Sequence, residues 1–578
     1  MQAPKLAYES SPIAEQAAST PWLKVMGAWL RKQIGAELFG MPGYRLTLKG
    51  AVPDGFLAAP HDARAPSPYS GKAILSGRFA IAGARMSVQG SGDPWNRPSP
   101  TRAFAVELHR FDWLSSLITQ GDDGAREAVR LYLLWQRTFK TWTPFTWGEE
   151  ILPRRLINLS MFARRMATQA SPEEVSLLSQ SLAEQGRHLL RLNHNPAWQA
   201  SKAVALVALG SVLSGRVGDG FRSKGLKLLP KTLKKAVLSD GCHASRSPQD
   251  GLTLLNDLLL IEDGLSQRGI AVPEFIEAYI ERLGRFVRTL SHPDGSLCAF
   301  QGSESLLEDQ IIPALVRDEA RAALAGLPNQ LEQGRYHRML GRSISVFVDA
   351  GESRSGPFGA AACDYPMTFE VAGGRDKLIV SPGWSPLQSD KQGFRVVSAA
   401  NTLTIGDGAI LSPVTGRFGE LLNFALEGLR YRVRSRRVEA EDSGTLLELE
   451  HEGWRPRYGL KHERRLYVDA VRDELRGEDR LTPMETKKGM LEAAPFTIRF
   501  LLHPEVQASM ARDKKSVLLR GPGGRGWWLR HDAREVTFEV GTVFERGLPR
   551  KSTVVALGGL CRLDSATRVR WKLSPAEA

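Results

Sequence analysis

The sequence predicts an α+β protein of several parts, a helical region followed by a large antiparallel β-sandwich. Three observations carry this. Between Arg102 and about Pro328, apolar residues recur at helical spacing in segments parted by short Gly/Pro/Asn breaks. From Ser343 onward the chain changes to short strand-like runs such as SISVFVDA, MTFEVA, KLIVSPG and EVTFEVG, with turn residues between them. Within that half, Glu450–Leu481 interleaves Trp454, Tyr458, Leu460, Leu466, Tyr467, Val468, Leu475 and Leu481 with charges. Such alternation sets one face of each strand on a core and the other in water.

The chain divides, on these patterns, into residues 1–100, 101–335 and 336–578, with the sharpest change of period at 330–342. Its 578 residues suffice for two to four domains. Residues 1–20 are polar and read as a frayed end. Trp22 to Phe39 has helical spacing, with Lys24, Arg31 and Lys32 opposite the apolar stripe. A basic amphipathic helix can lie on a membrane, but more often docks on its own protein, which is the expectation here. Residues 50–100 are Gly/Pro-rich with strand-like pieces at Ala73 to Phe79. Helices are then expected at Phe104–Ile118, Ala125–Phe139, Glu149–Met166, Pro172–Leu192, Ala197–Leu213, Gly225–Ser239, Asp250–Ser266, Pro273–Leu290 and Leu306–Leu324. Short loops between them suggest antiparallel hairpins.

Composition narrows the function classes. Hydrophobic content of 42% and charge of 24% are those of an ordinary globular chain, and the net charge of +14 suits an anionic partner. A nucleic-acid partner is not expected, since charge alone speaks for it and no binding motif does. The four cysteines (Cys242, Cys298, Cys363, Cys561) form no C-x-x-C pair, which removes support for a zinc ribbon or thioredoxin-type site. Neither a signal peptide nor a membrane-spanning run is recognisable, so a cytoplasmic protein is expected, with the periplasm as the alternative. Oligomeric state is not legible.

The words inside the 450–481 stretch are more specific than its period. His451, Gly453, Trp454, Tyr458, Gly459, His462, Arg464, Leu466, Leu475, Gly477, Glu478 and Asp479 follow the "H-D-G-Y … F-G-x-x-H-x-R-x-L … L-x-G-x-D" pattern. In this the chain resembles the heparinase II/III family of polysaccharide lyases, from about Gly92 to the end. The resemblance implies an N-terminal incomplete (α/α) toroid before the C-terminal antiparallel β-sandwich. It also implies β-elimination of a uronate-containing acidic polysaccharide, without a cofactor. That chemistry needs a group that neutralises the uronate carboxylate, a base, and an acid for the leaving oxygen.

By resemblance, Asn193 and His194 are the carboxylate-neutralising candidates, with Asn195 beside them, although Asn195 before Pro196 also reads as a helix cap. The segment Asp240, Gly241, His243, Arg246, Ser247, Pro248 matches a family segment near which active members carry a catalytic Tyr. None occurs here from Asp240 to Asp263. His243 could serve as base and Arg246 could bind a carboxylate, or the segment is a loop tied by Arg246. We therefore take His194 and His243 as catalytic candidates and Asn193, Asn195 and Arg246 as substrate-binding candidates.

The family's "H-x-H-x-D-x-x-x-F-E" word becomes Ala361, Cys363, Tyr365, Phe369 and Glu370. Its catalytic His thus falls on Ala361, and its three metal ligands fall on Cys363, Ser381 and Ala400, so no metal is expected there. His451 and His462 read as core histidines, and His292 to Glu304 as an architectural loop. Two functions stay open: a lyase with a rearranged site, or an impaired descendant that binds glycan or protein.

Overall fold

The computed structural model describes residues 22–88, 92–192, 195–317, 326–422, 424–440, 444–484 and 492–576. A helical region precedes an antiparallel sheet region, as the two periods require. The helices are α1 (Trp22–Gly40), α2 (Pro68–Leu75), α3 (Arg102–Arg110), α4 (Leu114–Ile118), α5 (Gly121–Phe139), α6 (Leu152–Ala167), α7 (Pro172–Arg191), α8 (Gln199–Val212), α9 (Gly215–Ala236), α10 (Pro248–Gln267), α11 (Glu274–Thr289) and α12 (Glu308–Arg317). Helix α8 is buried along nearly its whole length and packs on α6, α9 and α10. Its lack of a polar face is what a central helix shows. At the start of α7, Ser171 and Glu174 form a reciprocal capping box.

Four local expectations are corrected. The Ala73–Phe79 piece is the end of α2 and the start of a hairpin, Arg78–Ile81 with Ala84–Ser87. The single helix expected at 104–118 is two, broken at Phe111 with φ 61°. Helix α9 begins at Gly215, ten residues before the expected start. Its glycines read as a loop because Gly favours turns, yet here they let helices touch. A Cβ on Gly218 would lie 2.0 Å from the Leu213 carbonyl oxygen, and one on Gly225 2.7 Å from Val207. Finally, Trp454 to Tyr458 is no strand: Arg455–Tyr458 is a helical turn closed by Gly459 at φ 68°.

Helix α1 corrects a fifth. Its ends are tethered, by Lys24 to Glu427 at 2.7 Å, by Trp22 on Phe418, and by Phe39 against Tyr44 and Trp142. Only Val25 is buried, and Trp22, Leu23, Met26, Trp29, Leu30, Ile34 and Leu38 are all exposed. The apolar stripe is not docked on the protein.

The sheet region has two layers. One is an eight-stranded sheet in the order Val433–Ala440, Gly444–His451, Leu460–Asp469, Glu474–Pro483, Thr567–Pro575, Gly526–His531, Ser516–Arg520 and Gln507–Met510. The other joins a five-stranded sheet (330–379) to a four-stranded one (Glu535–Glu545, Leu548–Arg562, Ala493–Leu501, Leu403–Ile405) through the Ile379–Leu502 bridge. All pairings are antiparallel. One core draws Leu447, Leu466, Val468, Leu475, Trp527, Trp571 and Leu573 from the first layer, and Val346, Phe369, Ile405, Phe500 and Leu557 from the second.

Candidate functional site

The family-like words of residues 450–481 build a buried polar knot inside that core. His462 lies between Asp479 (Nε2 to Oδ1, 2.8 Å) and His451 (Nδ1 to Nε2, 3.2 Å). Arg464 donates to Asp479 at 2.7 Å and to the Met367 and Asn401 carbonyls at 2.9 and 2.8 Å. The Trp571 indole donates to the other Asp479 oxygen at 3.0 Å. Gly477 is required because a Cβ there would sit 2.1 Å from the Trp571 ring. Burial pushes the Asp479 carboxyl up, but Arg464 and His462 reverse this and hold it far below the usual range. Burial also lowers both histidines. The knot ties four strands and both layers together, and solvent does not reach it.

Three of the expected site residues, Asn195, His243 and Arg246, lie where the helical region meets the sheets, with different fates. Asn193 and His194 fall outside the described residues. Asn195 caps the short turn Pro196–Trp198, accepting from the Ala197 amide at 3.0 Å, and that turn packs on the sheet-region turn Gly356–Gly359. The His243 ring stands 5.9 Å from Phe358 of the same turn. Thus Asn195 and His243 flank one segment of the seam. His243 Nδ1 is engaged with the Ser245 hydroxyl at 2.7 Å, which in turn donates to Asp250. Burial lowers the His243 pKa, partly opposed by Asp250, so the ring is neutral at pH 7.

Arg246 is turned into the sheet region. It is 1% exposed and in the left-handed region at φ 66°. Its Nε donates to the Gly334 carbonyl and its Nη1 to that of Glu352, both at 2.9 Å, while Nη2 meets Asp349. All three nitrogens are thus spent on the sheet region, and the guanidinium also lies 4.9 Å over the Tyr336 ring. Of the two readings the sequence left open, the structure supports the loop tied by Arg246. The substrate-binding reading is corrected, since a carboxylate cannot approach without displacing Asp349.

Where the resemblance places the reactive imidazoles, the chain has an apolar cluster. Cys363, Tyr365, Trp384, Ala400 and Phe544 pack together with Ala361, Phe394 and Ala399. The buried Arg395 closes it, 4.7 Å over Trp384 and bonded to the Ala360 and Ala362 carbonyls. Burial lifts the Cys363 thiol to about 11. One cysteine, the Ser381 hydroxyl and the Ala400 methyl do not make the donor set zinc takes at such a position. On the outer face of the eight-stranded sheet, away from this seam, an open hollow of about 570 Å³ is lined by Arg465, Tyr467, Arg476, Arg530, His531 and Arg570, among others.

The C-terminal heparinase II/III-like family matches residues 325–572. The chain is also 41% identical, over 558 residues and 96% of each protein, to FtsZ-localized protein C of Caulobacter vibrioides strain NA1000/CB15N. It belongs to the heparinase II/III-like family. Solved lyases share the fold. Heparinase III superposes with a TM-score of 0.69 at 14% identity, covering 97% of this chain and 93% of its own. A heparan sulfate lyase mutant from Pedobacter heparinus superposes at 0.55 and 16% identity, covering 97% and 92%. The heparinase II/III-like words of the 450s to 470s are therefore fold-forming. Two features escaped the sequence: the Arg395 plug, and a buried His292–Cys298–Glu370 cluster in which Glu370 comes from a strand far along the chain from the loop that carries the other two. No local motif marks either one. All four cysteines are free and buried, and among the described residues no helix is long and apolar enough to cross a membrane.

Proposed function

We propose that this chain is a heparinase-fold protein that has given up β-elimination and acts as a binding module of the cell-division apparatus, in company with FtsZ. One observation carries the first half: the positions that resemblance assigns to the lyase base and metal ligands hold a closed apolar cluster around Cys363 and Ala400. With Arg246 clamped to Asp349, no arginine of that segment is free to neutralise a uronate. What remains at the seam among the described candidates is Asn195 and His243, enough to hold a glycan and too little to abstract a weakly acidic proton. The FtsZ association is carried over from the Caulobacter relative's name.

Heparan sulfate, hyaluronan and alginate incubated with the purified protein are expected to show no rise in ultraviolet absorbance from an unsaturated uronate. A rise abolished by His194→Ala or His243→Ala would instead establish the lyase reading. For the second half, the protein is expected to co-sediment with polymerised FtsZ of its own organism. A protein that stays in the supernatant would remove FtsZ as a direct partner.

The exposed stripe of α1 favours a second surface. Seven large apolar side chains on one side, with Arg31 and Lys32 exposed opposite, fit the interface of an anionic lipid leaflet. Flotation with vesicles containing phosphatidylglycerol should carry the wild-type protein, while Trp29→Glu with Leu30→Glu should abolish it. Equal flotation of both would rule α1 out as the contact.

A further inference from the structure

We infer that His292, Cys298 and Glu370 form a binding site for a zinc-class divalent ion, at the junction of the helical and sheet regions. The three donor atoms lie within 4.8 Å of one another. His292 Nε2 is 2.7 Å from Glu370 Oε2 and 3.6 Å from Cys298 Sγ. Ligand atoms around a tetrahedral zinc stand roughly 3.3–3.7 Å apart, given bond lengths of about 2.0–2.3 Å. The His–Cys separation already fits, and the His–Glu pair needs to open by only about half an ångström to admit an ion at such lengths.

The scaffold holds these donors in place. His292 and Cys298 sit on one tight loop, closed by the Ser291–Leu297 bridge, by the His292 amide on Ser296 at 2.7 Å, and by the Cys298 amide on Leu290 at 2.9 Å. Glu370 stands on Phe369–Gly373, and its other oxygen accepts from the Ala299 and Ser381 amides at 3.0 and 3.2 Å. A carboxylate oriented by two backbone donors is the kind of support that ligands receive. The imidazole ring is braced by Phe347 at 4.7 Å.

A second observation concerns the space beside the three donors. Ser381, whose backbone amide donates to Glu370 at 3.2 Å, has a fully buried hydroxyl with no hydrogen-bond partner. An orphaned hydroxyl of this kind costs stability, and a water in an ion's fourth position would satisfy it.

Charge supports the assignment. An ion with two positive charges, one thiolate, one carboxylate and a neutral imidazole sum to zero, the favourable state for a group with no access to water. A cysteine ligates as the thiolate, so binding releases the Cys298 proton to solvent, and the ion takes over the His292–Glu370 hydrogen bond. Lys377 is itself occupied by Ser305 at 3.1 Å and faces Asp294.

The test uses the full-length protein expressed in zinc- or cobalt-supplemented medium, since the site is closed after folding. Metal analysis should find about one ion per folded chain after dialysis, and the cobalt form should show a thiolate charge-transfer band in the near ultraviolet. Cys298→Ser should remove the band and most of the metal, while Cys561→Ser leaves both. Wild-type protein carrying less than about a tenth of an equivalent would overturn the proposal whatever the variants do. So would a band that survives Cys298→Ser. If Cys298→Ser does not fold, Cys298→Ala judged against its own circular dichroism replaces it, and the wild-type metal content alone still decides.

Discussion

Arg246→Ala is expected to destabilise the protein by about 3–5 kcal/mol, the range for breaking a buried ion pair from one side. The change leaves the Asp349 carboxylate in the interior with only Gln301 at 2.8 Å and the Gly351 amide at 3.0 Å to hold it. It also frees the Gly334 and Glu352 carbonyls and strips the Tyr336 ring of its cation. Arg246→Lys should recover little, because one ammonium cannot reach three acceptors in a fixed fork. The clamp also requires glycine opposite it: a Cβ on Gly351 would stand 2.3 Å from the guanidinium carbon. Urea unfolding of the two variants measures this. A loss below about 1 kcal/mol, the worth of an exposed pair, would show that Arg246 does not couple the two regions.

Acid should unfold this protein early. Burial lowers His109 to about 3 and His188 and His337 to about 4, against roughly 6.5 in the unfolded chain. A histidine with a depressed folded pKa gives stability that is complete above pH 6.5 and is lost as pH falls from there toward the folded value. The reason is that the unfolded state then binds the proton the folded state refuses. From pH 7.5 to 5 each of the three costs about 2 kcal/mol. His451 and His462 in the buried knot are lowered too and act the same way.

Two acids oppose them. Burial raises Glu107 to about 8 and Asp364 to about 6, so each destabilises less as pH falls, and together they offset part of the loss. The net expectation is a melting temperature that drops on going from pH 7.5 to 5, with proton uptake on unfolding in that window. His337→Gln should remove about one proton from that uptake at pH 5.5. A melting temperature that holds or rises on acidification would mean the buried histidines are not neutral in the folded state.

Much of the fold was legible because the two halves differ in period. The core-facing residues of α5, α7 and α11 recur at three and four, and those of Leu460–Asp469 at two. The failures share a cause. The glycines of α9 were read as chain breaks because sequence shows what a residue prefers, not what stands opposite it. Trp454 to Tyr458 alternates like a strand, but Gly459 supplies a left-handed cap. The sequence leaves Arg246 open between ligand and loop tie because a conspicuous arginine looks the same whether its partner is a substrate carboxylate or Asp349, more than a hundred residues away.

The sequence by itself determined the order of the parts, the heparinase II/III-like words of the sheet region, and the loss of imidazoles at positions 361, 363 and 400. Those are one-dimensional facts, fixed by residue type and local period. Only the tertiary structure decided what took their place, that Arg246 is a clamp, that α1 keeps its apolar side bare, and that His292 and Cys298 converge on Glu370. Each of these depends on contacts between segments tens to hundreds of residues apart. Such contacts are set by how layers pack, and no local pattern encodes them.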